Sequence, residues 1–260
     1  MKIALVDSGI GLLAAAGALR GLRPDADLVI SNDPDGMPWG PRTPADVTEH
    51  VLACARAAAA YQPDALVVAC NTASVHSLAA LRAELEPGLP VIGTVPAIKP
   101  AAALGGPVAI WATPATTGSA YQRGLIAEFA AGARVTEVPC PGLADAVERA
   151  DEAATEAAIA EAAALTPPGT AAIVLGCTHY ELVAERIRAA VAPRAARHLT
   201  LHGSAGAVAA QALRRVPAAG TGGGGLTVLL SGRPGALPAA AAHYAEGRLL
   251  LAAPVVQSRV

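Results

Sequence analysis

Two short stretches constrain this chain more than anything else in it. Val67-Val68-Ala69-Cys70-Asn71-Thr72-Ala73-Ser74 and Ile173-Val174-Leu175-Gly176-Cys177-Thr178-His179-Tyr180 share one pattern. Each is an apolar run that ends in a small residue, a cysteine and a hydroxyl-bearing neighbour. Such a run reads as a buried strand, and the polar cluster as the turn at its C-terminal end. Ligands of open α/β sheets bind at that end. The cysteines lie 107 residues apart, about one small domain. The pattern predicts two cysteine-tipped strands, one per domain, facing each other across a cleft.

The segments around these strands alternate between strand and helix signals. Strands are expected over 2–6, 28–31, 65–69 and 90–93, with helices over 12–22, 44–61 and 74–85. Thr43 is an N-cap type and Pro44 suits the first helical position. The alternation restarts at Pro107, with strands over 107–111, 135–138 and 170–175. Helices follow over 120–130, 143–165 in one or two pieces, and 181–191. Strand-helix alternation implies parallel sheets covered on both faces. The expected fold class is α/β, with two domains, each a mostly parallel sheet flanked by helices. The Pro-rich stretch 93–100 marks a crossing into a second domain over 96–204. The tail then returns to complete the first domain, 1–95 with 205–260. It brings a strand over 199–201, a helix over 205–215, a mobile glycine run over 218–225, a strand over 226–230 and a weak signal over 243–256.

Composition narrows the classes of function. Apolar residues make up 53% of the 260 positions, enough for substantial cores. The formal net charge is −2 and no basic stripe occurs, which argues against a nucleic-acid partner. No apolar stretch has the length of a membrane span, and the start is too short an apolar run for a signal peptide. A cytoplasmic protein is the expectation. Cys54, Cys70, Cys140 and Cys177 form no CxxC pair and no zinc-like spacing, so neither a metal nor a disulfide is expected. Cys54, in an Ala-rich helical run, is expected to be a buried small hydrophobe.

A cysteine at a strand-to-helix turn sits in a setting that favours the thiolate. Two such thiols, one on each side of a substrate carbon, can take a proton from one face and return one to the other. His179 could polarise Cys177 or carry its proton, or simply begin a helix and bond to backbone. Asp7-Ser8-Gly9-Ile10-Gly11 could bind a carboxylate or phosphate through backbone N–H groups, or be a plain helix cap. Thr113, Thr116 and Thr117 form either an N-cap set or a group of substrate donors.

These segments resemble the glutamate racemases of the cofactor-independent aspartate/glutamate racemase superfamily. The resemblance is carried by Asp7-Ser8-Gly9-Ile10-Gly11, Pro38-Trp39-Gly40 and Ala69-Cys70-Asn71-Thr72-Ala73-Ser74. It continues through Gly93-Thr94-Val95-Pro96-Ala97-Ile98-Lys99-Pro100, Ala112-Thr113-Pro114-Ala115-Thr116 and Gly176-Cys177-Thr178-His179-Tyr180. It implies two pseudo-twofold-related domains with the active site between them. It also implies interconversion of L- and D-glutamate without cofactor or metal, supply of D-glutamate for peptidoglycan, and a homodimer. Cys70 and Cys177 would be the bases, assisted by Asp7, His179 and Glu148. Asp7, Ser8, Pro38, Trp39, Gly40, Asn71, Thr72, Thr113, Thr116, Thr117, Thr178 and His179 would join them around the substrate. Alternatives are a racemase of another acidic substrate, of aspartate or hydantoin type, and a non-catalytic ligand-binding homologue. The chain departs from the family pattern at four places. Trp39 replaces a usual Tyr, exchanging a hydroxyl for an indole N–H. Leu12 stands where glycine is common, and Glu181 replaces a usual Pro. His202-Gly203-Ser204 stands where an Asp-Ser-Gly type of turn is frequent.

Overall fold

The structure, a computed structural model, describes residues 1–216 and 222–252. The chain divides into two compact units, Met1–Val95 with Ala205–Val260, and Pro96–Ser204. Among the described residues, no helix is long and apolar enough to cross a membrane.

In the first unit, β1 (Lys2–Asp7) is followed by a 3-10 turn (Ile10–Leu12), α1 (Leu13–Leu22) and β2 (Asp27–Asn32). Then come α2 (Pro44–Ala59), β3 (Ala65–Val68), α3 (Asn71–Leu85) and β4 (Val91–Gly93). The second unit supplies α4 (Ile98–Ala103), β5 (Val108–Ala112), α5 (Ala120–Phe129) and β6 (Val135–Pro139). It continues with α6 (Leu143–Glu148), α7 (Glu152–Leu165), β7 (Ala172–Leu175), α8 (Thr178–Glu181), α9 (Ala184–Val191) and β8 (Thr200–His202). The chain returns to the first unit through α10 (Ala205–Arg215), β9 (Leu226–Leu230), β10 (Arg233–Pro234), a second 3-10 turn (Ala239–His243) and α11 (Ala245–Leu251).

The first unit's sheet runs β10-β9-β2-β1-β3-β4, parallel except for the β10 edge strand. The strands are apolar almost throughout, as expected where helices cover both faces. Val6, Val29, Leu66 and Val68 pack with Val47 and Val51 of α2 and Leu81 of α3. The returning strand β9 is parallel to β2, from Leu28↔Leu226 to Asn32↔Leu230. Its approach is pinned by polar bonds. Asp27 accepts from the N–H groups of Gly223 and Gly225, and buried Arg20 donates to the carbonyls of Pro24, Ala26 and Gly225. The second unit's sheet, β6-β5-β7-β8, is wholly parallel. Val108, Ile110, Ala172 and Val174 pack with Ile98 of α4 and with Leu125, Ile126 and Phe129 of α5.

Several local expectations are revised. Helix α3 begins at Asn71 rather than Ser74. Asn71 and Thr72 look like loop residues by propensity, but β3 delivers the chain straight into the helix. The helix expected over 181–191 is two pieces, α8 and α9, with a break at Leu182 and Val183. Gly9 is the N-cap of the 3-10 turn and offers it no side-chain bond, and Asp7 and Ser8 precede it. The 143–165 segment divides into α6 and α7, and Asp151 caps the second by accepting from Ala154 N–H at 3.0 Å. Of the glycine run, Gly223 and Gly225 donate to the Asp27 carboxylate and Gly224 to the Asp25 carbonyl. Residues 218–221 lie outside the described residues, as do 253–256 of the weak tail signal.

Cys54, in the core of the first unit, and Cys140, behind β6 in the second, are both buried. Burial pushes each thiol up to about 12, with the charge of Asp33 adding to the effect at Cys54 and that of Cys177 at Cys140. The native state therefore holds protons that the unfolded chain releases near pH 8.5. Below that pH the two states bind equal numbers of protons; above it, stability falls. The slope is up to about 1.4 kcal/mol per pH unit for each thiol. Urea unfolding should show lower stability at pH 10 than at pH 8, with a smaller loss in a Cys54→Ala variant. A flat profile across that interval would contradict the buried neutral thiols.

Candidate active site

Both prominent cysteines adopt the same backbone pose. Cys70 is the N-cap of α3 with φ −140° and ψ 127°, and Cys177 is the N-cap of α8 with φ −134° and ψ 138°. Each follows a strand that is second from its sheet edge, beside a three-residue outer strand. Each is preceded by a small residue whose N–H makes a bond to the neighbouring first strand. Ala69 donates to the Val6 carbonyl at 2.9 Å, and Gly176 to the Trp111 carbonyl at 2.7 Å. A Cβ at Gly176 would stand 2.7 Å from that same carbonyl oxygen, so glycine is required there. The first strand of each sheet then ends level with the cysteine turn, in Asp7-Ser8 in one unit and Ala112-Thr113 in the other.

In the first unit, Cys70 is 9% exposed, and Asn71 is buried beside it. The turn is braced from behind. Ser74 Oγ donates to the Val68 carbonyl at 3.2 Å and accepts from Thr94 N–H at 2.9 Å, while Thr94 Oγ1 also donates to Val68 at 2.7 Å. Asp7 is fully buried at the end of β1, and its Oδ1 accepts from Ser8 N–H at 2.7 Å. Thr72 and Gly40 are half-buried and Pro38 is exposed.

The loop after β2 is organised by a residue that the sequence reading did not single out. Buried Asp33 accepts from Trp39 Nε1–H at 3.0 Å, Ser231 Oγ–H at 3.0 Å and Gly36 N–H at 3.2 Å, and His50 Nδ1 lies 2.8 Å away. The Trp39 indole is 1% exposed and sits in the core cluster. Its N–H, expected to stand in for a hydroxyl donor, is thus taken up inside the first unit. The available signal was an acid six residues before a tryptophan whose N–H would need a partner when buried.

In the second unit, three side chains stand in a line. Cys177 Sγ lies 3.7 Å from His179 Nδ1, and His179 Nε2 lies 2.8 Å from Glu148 Oε2. The His179 and Glu148 side chains are only 10% and 13% exposed. With Nε2–H donated to the carboxylate, Nδ1 presents its lone pair to the thiol. His179 is therefore oriented by a carboxylate and faces sulfur, contrary to a helix-start histidine bonded only to backbone. Thr178 is buried. The threonines form a turn of their own: Thr113 Oγ1 donates to Thr116 Oγ1, and Thr117 Oγ1 donates to the Thr113 carbonyl. They are not the N-cap set for α5, because Ser119 caps that helix by accepting from Gln122 N–H at 3.1 Å. Among the described residues, no group of three or more His, Cys, Asp or Glu side chains is placed to hold a metal ion.

Brief treatment with iodoacetamide near pH 7.5 should modify half-buried Cys177 first, while Cys54 and Cys140 react only after unfolding. Peptide mass spectrometry reads the order, and early labelling of Cys54 would contradict its burial. Asp33→Ala should cost about 2–3 kcal/mol in urea unfolding, because it orphans the buried Trp39 donor and the half-buried Ser231 hydroxyl. A loss below about 0.5 kcal/mol would show that the loop does not depend on that carboxylate.

A profile of the Asp/Glu/Hydantoin racemase family matches residues 13–217. The glutamate racemase of Roseiflexus sp. (strain RS-1) is 38% identical over 192 residues, which are 72% of this chain and 70% of that protein. The glutamate racemase of Sphingopyxis alaskensis is 38% identical over 197 residues, 72% of this chain and 73% of that one. Among solved structures, Escherichia coli glutamate racemase, in complex with L-glutamate and the activator UDP-MurNAc-ala, is similar with a TM-score of 0.79. That likeness is at 29% identity and covers 92% of this chain and 91% of the other.

Proposed function

Because the chain belongs to the Asp/Glu/Hydantoin racemase family, we propose that it interconverts L- and D-glutamate by proton transfer at the α-carbon between Cys70 and Cys177. The observation that carries this reading is the Cys177–His179–Glu148 line, together with a second cysteine in the same pose at the matching strand end. Binding alone needs neither the thiols nor an oriented imidazole.

In this mechanism the two sulfurs flank the α-carbon from opposite faces. One thiolate removes the α-proton, and the other thiol delivers its own proton to the opposite face. The configuration inverts, the two sulfurs exchange protonation states, and solvent resets them. No electron is transferred and no cofactor takes part. His179 polarises Cys177 or carries its proton, with Glu148 fixing the ring, and Asp7 assists Cys70. Ser8, Gly40, Asn71, Thr72, Thr113, Thr116, Thr117 and Thr178 supply hydroxyl, amide and backbone donors for the carboxylates and acceptors for the amine. Pro38 and Trp39 shape the loop that carries Gly40. The product would serve peptidoglycan synthesis in the cytoplasm, and the protein would act as a homodimer.

Circular dichroism of L-glutamate, D-glutamate and L-aspartate solutions tests the substrate. Glutamate should invert in both directions, and faster turnover of aspartate would move the assignment to another acidic substrate. Cys70→Ser and Cys177→Ser should each lower kcat by about 10²–10⁴-fold, the range for loss of a positioned acid or base. In deuterated water, each enantiomer should acquire α-deuterium as it is converted. Conversion without that label would contradict direct proton exchange.

A further inference from the structure

Glu181, the last residue of α8, meets the Gly203-Ser204 turn that follows β8. Glu181 Oε1 accepts two hydrogen bonds from Ser204, one from its N–H and one from its hydroxyl, both at 2.8 Å. A Cβ at Gly203 would collide with Glu181 Oε2 and lie 2.5 Å from its Cδ. A carboxylate from position 181 thus satisfies the Ser204 donors, and glycine at 203 makes room for it.

The position of Glu181 matters because of the helix that carries it. α8 is a single turn of four residues, and the Leu182 and Val183 N–H groups beyond it bond back to the His179 and Tyr180 carbonyls. So short a helix has no stability of its own and keeps its geometry only through side-chain anchors. Glu148 holds His179. Tyr180 is fully buried, and its hydroxyl donates to the Cys140 carbonyl at 3.4 Å. Glu181 holds the C-terminal end of the turn. The His179 Nδ1 to Cys177 Sγ separation of 3.7 Å has little room to lengthen before contact is lost.

We propose that Glu181 is a positioning residue that clamps the Cys177–His179 turn to the Gly203-Ser204 turn, and that Gly203 is glycine to admit it. The effect on turnover rests on the reading of Cys177 as a base; the effect on thiol reactivity does not.

The test uses full-length protein carrying Cys70→Ser, in which Cys177 is the accessible thiol because Cys54 and Cys140 are buried. The alkylation rate of Cys177 by iodoacetamide near pH 7.5 should fall about threefold to tenfold in Glu181→Met, which keeps the bulk and loses the acceptor. Glu181→Gln, whose amide oxygen still accepts from Ser204, should stay near the parent. Gly203→Ala alone should slow alkylation, and adding Glu181→Ala to it should return the rate to that of Glu181→Ala alone. With Cys70 restored, Glu181→Met should lower kcat about tenfold and leave KM little changed. Parental alkylation and kcat in folded Glu181→Met, or a neutral Gly203→Ala, would overturn the clamp. Absence of glutamate racemisation in the parent would overturn the proposed function instead, and the alkylation series would still decide the clamp.

Discussion

The last backbone bond that each central strand makes before its helix begins is the constraint on which the rest depends. Ala69 N–H to Val6 and Gly176 N–H to Trp111 close the two parallel ladders. One residue later the chain reaches a cysteine with extended backbone, and helical geometry follows at once. A parallel strand must be succeeded by a crossover helix on one face of its sheet, so the residue at this junction has no freedom to drift. Everything of chemical interest in either unit, from Asp7 and Asp33 to Thr113 and His179, lies on that carboxyl edge.

The two halves repeat this scaffold but support their thiols differently. Around Cys70 the polar bracing is behind the turn, through Ser74 and Thr94, and the buried carboxylate of Asp7 stands on the adjacent strand. Around Cys177 an imidazole and a carboxylate are arranged in series from one side. The longer α3 keeps its own first turn in place, whereas the four-residue α8 leans on side-chain anchors at three successive positions, 179, 180 and 181.

Buried polar groups show how unusual residues are accommodated. The Trp39 indole brings an N–H that cannot be left unpaired in a core, and Asp33 accepts it along with the Ser231 hydroxyl from the far end of the chain. The same carboxylate therefore ties the returning strand β9 to the loop after β2. Glu181 does the equivalent service for the turn after β8. In both cases one acid satisfies several donors that would otherwise be stranded.

Much of this was legible in residue order. Runs such as Val67-Val68 and Ile173-Val174 are apolar at consecutive positions, which only a doubly covered strand tolerates, so the parallel α/β class and the cysteine turns could be read directly. Helix starts were less legible: Asn71 and Thr72 carry weak helical propensity, yet the strand before them dictates the helix. The break between α8 and α9 leaves no clear periodic signal either. What sequence alone determined is which residues alternate into strands and helices, because hydrophobic period is a local property. Only tertiary structure decided that Glu148 meets His179, that Asp33 serves Trp39 and Ser231, and that Glu181 reaches Ser204. Apart from Asp33 and Trp39, which share one loop, those partners come from separate segments of the chain, and nothing in either segment by itself specifies the side chain opposite.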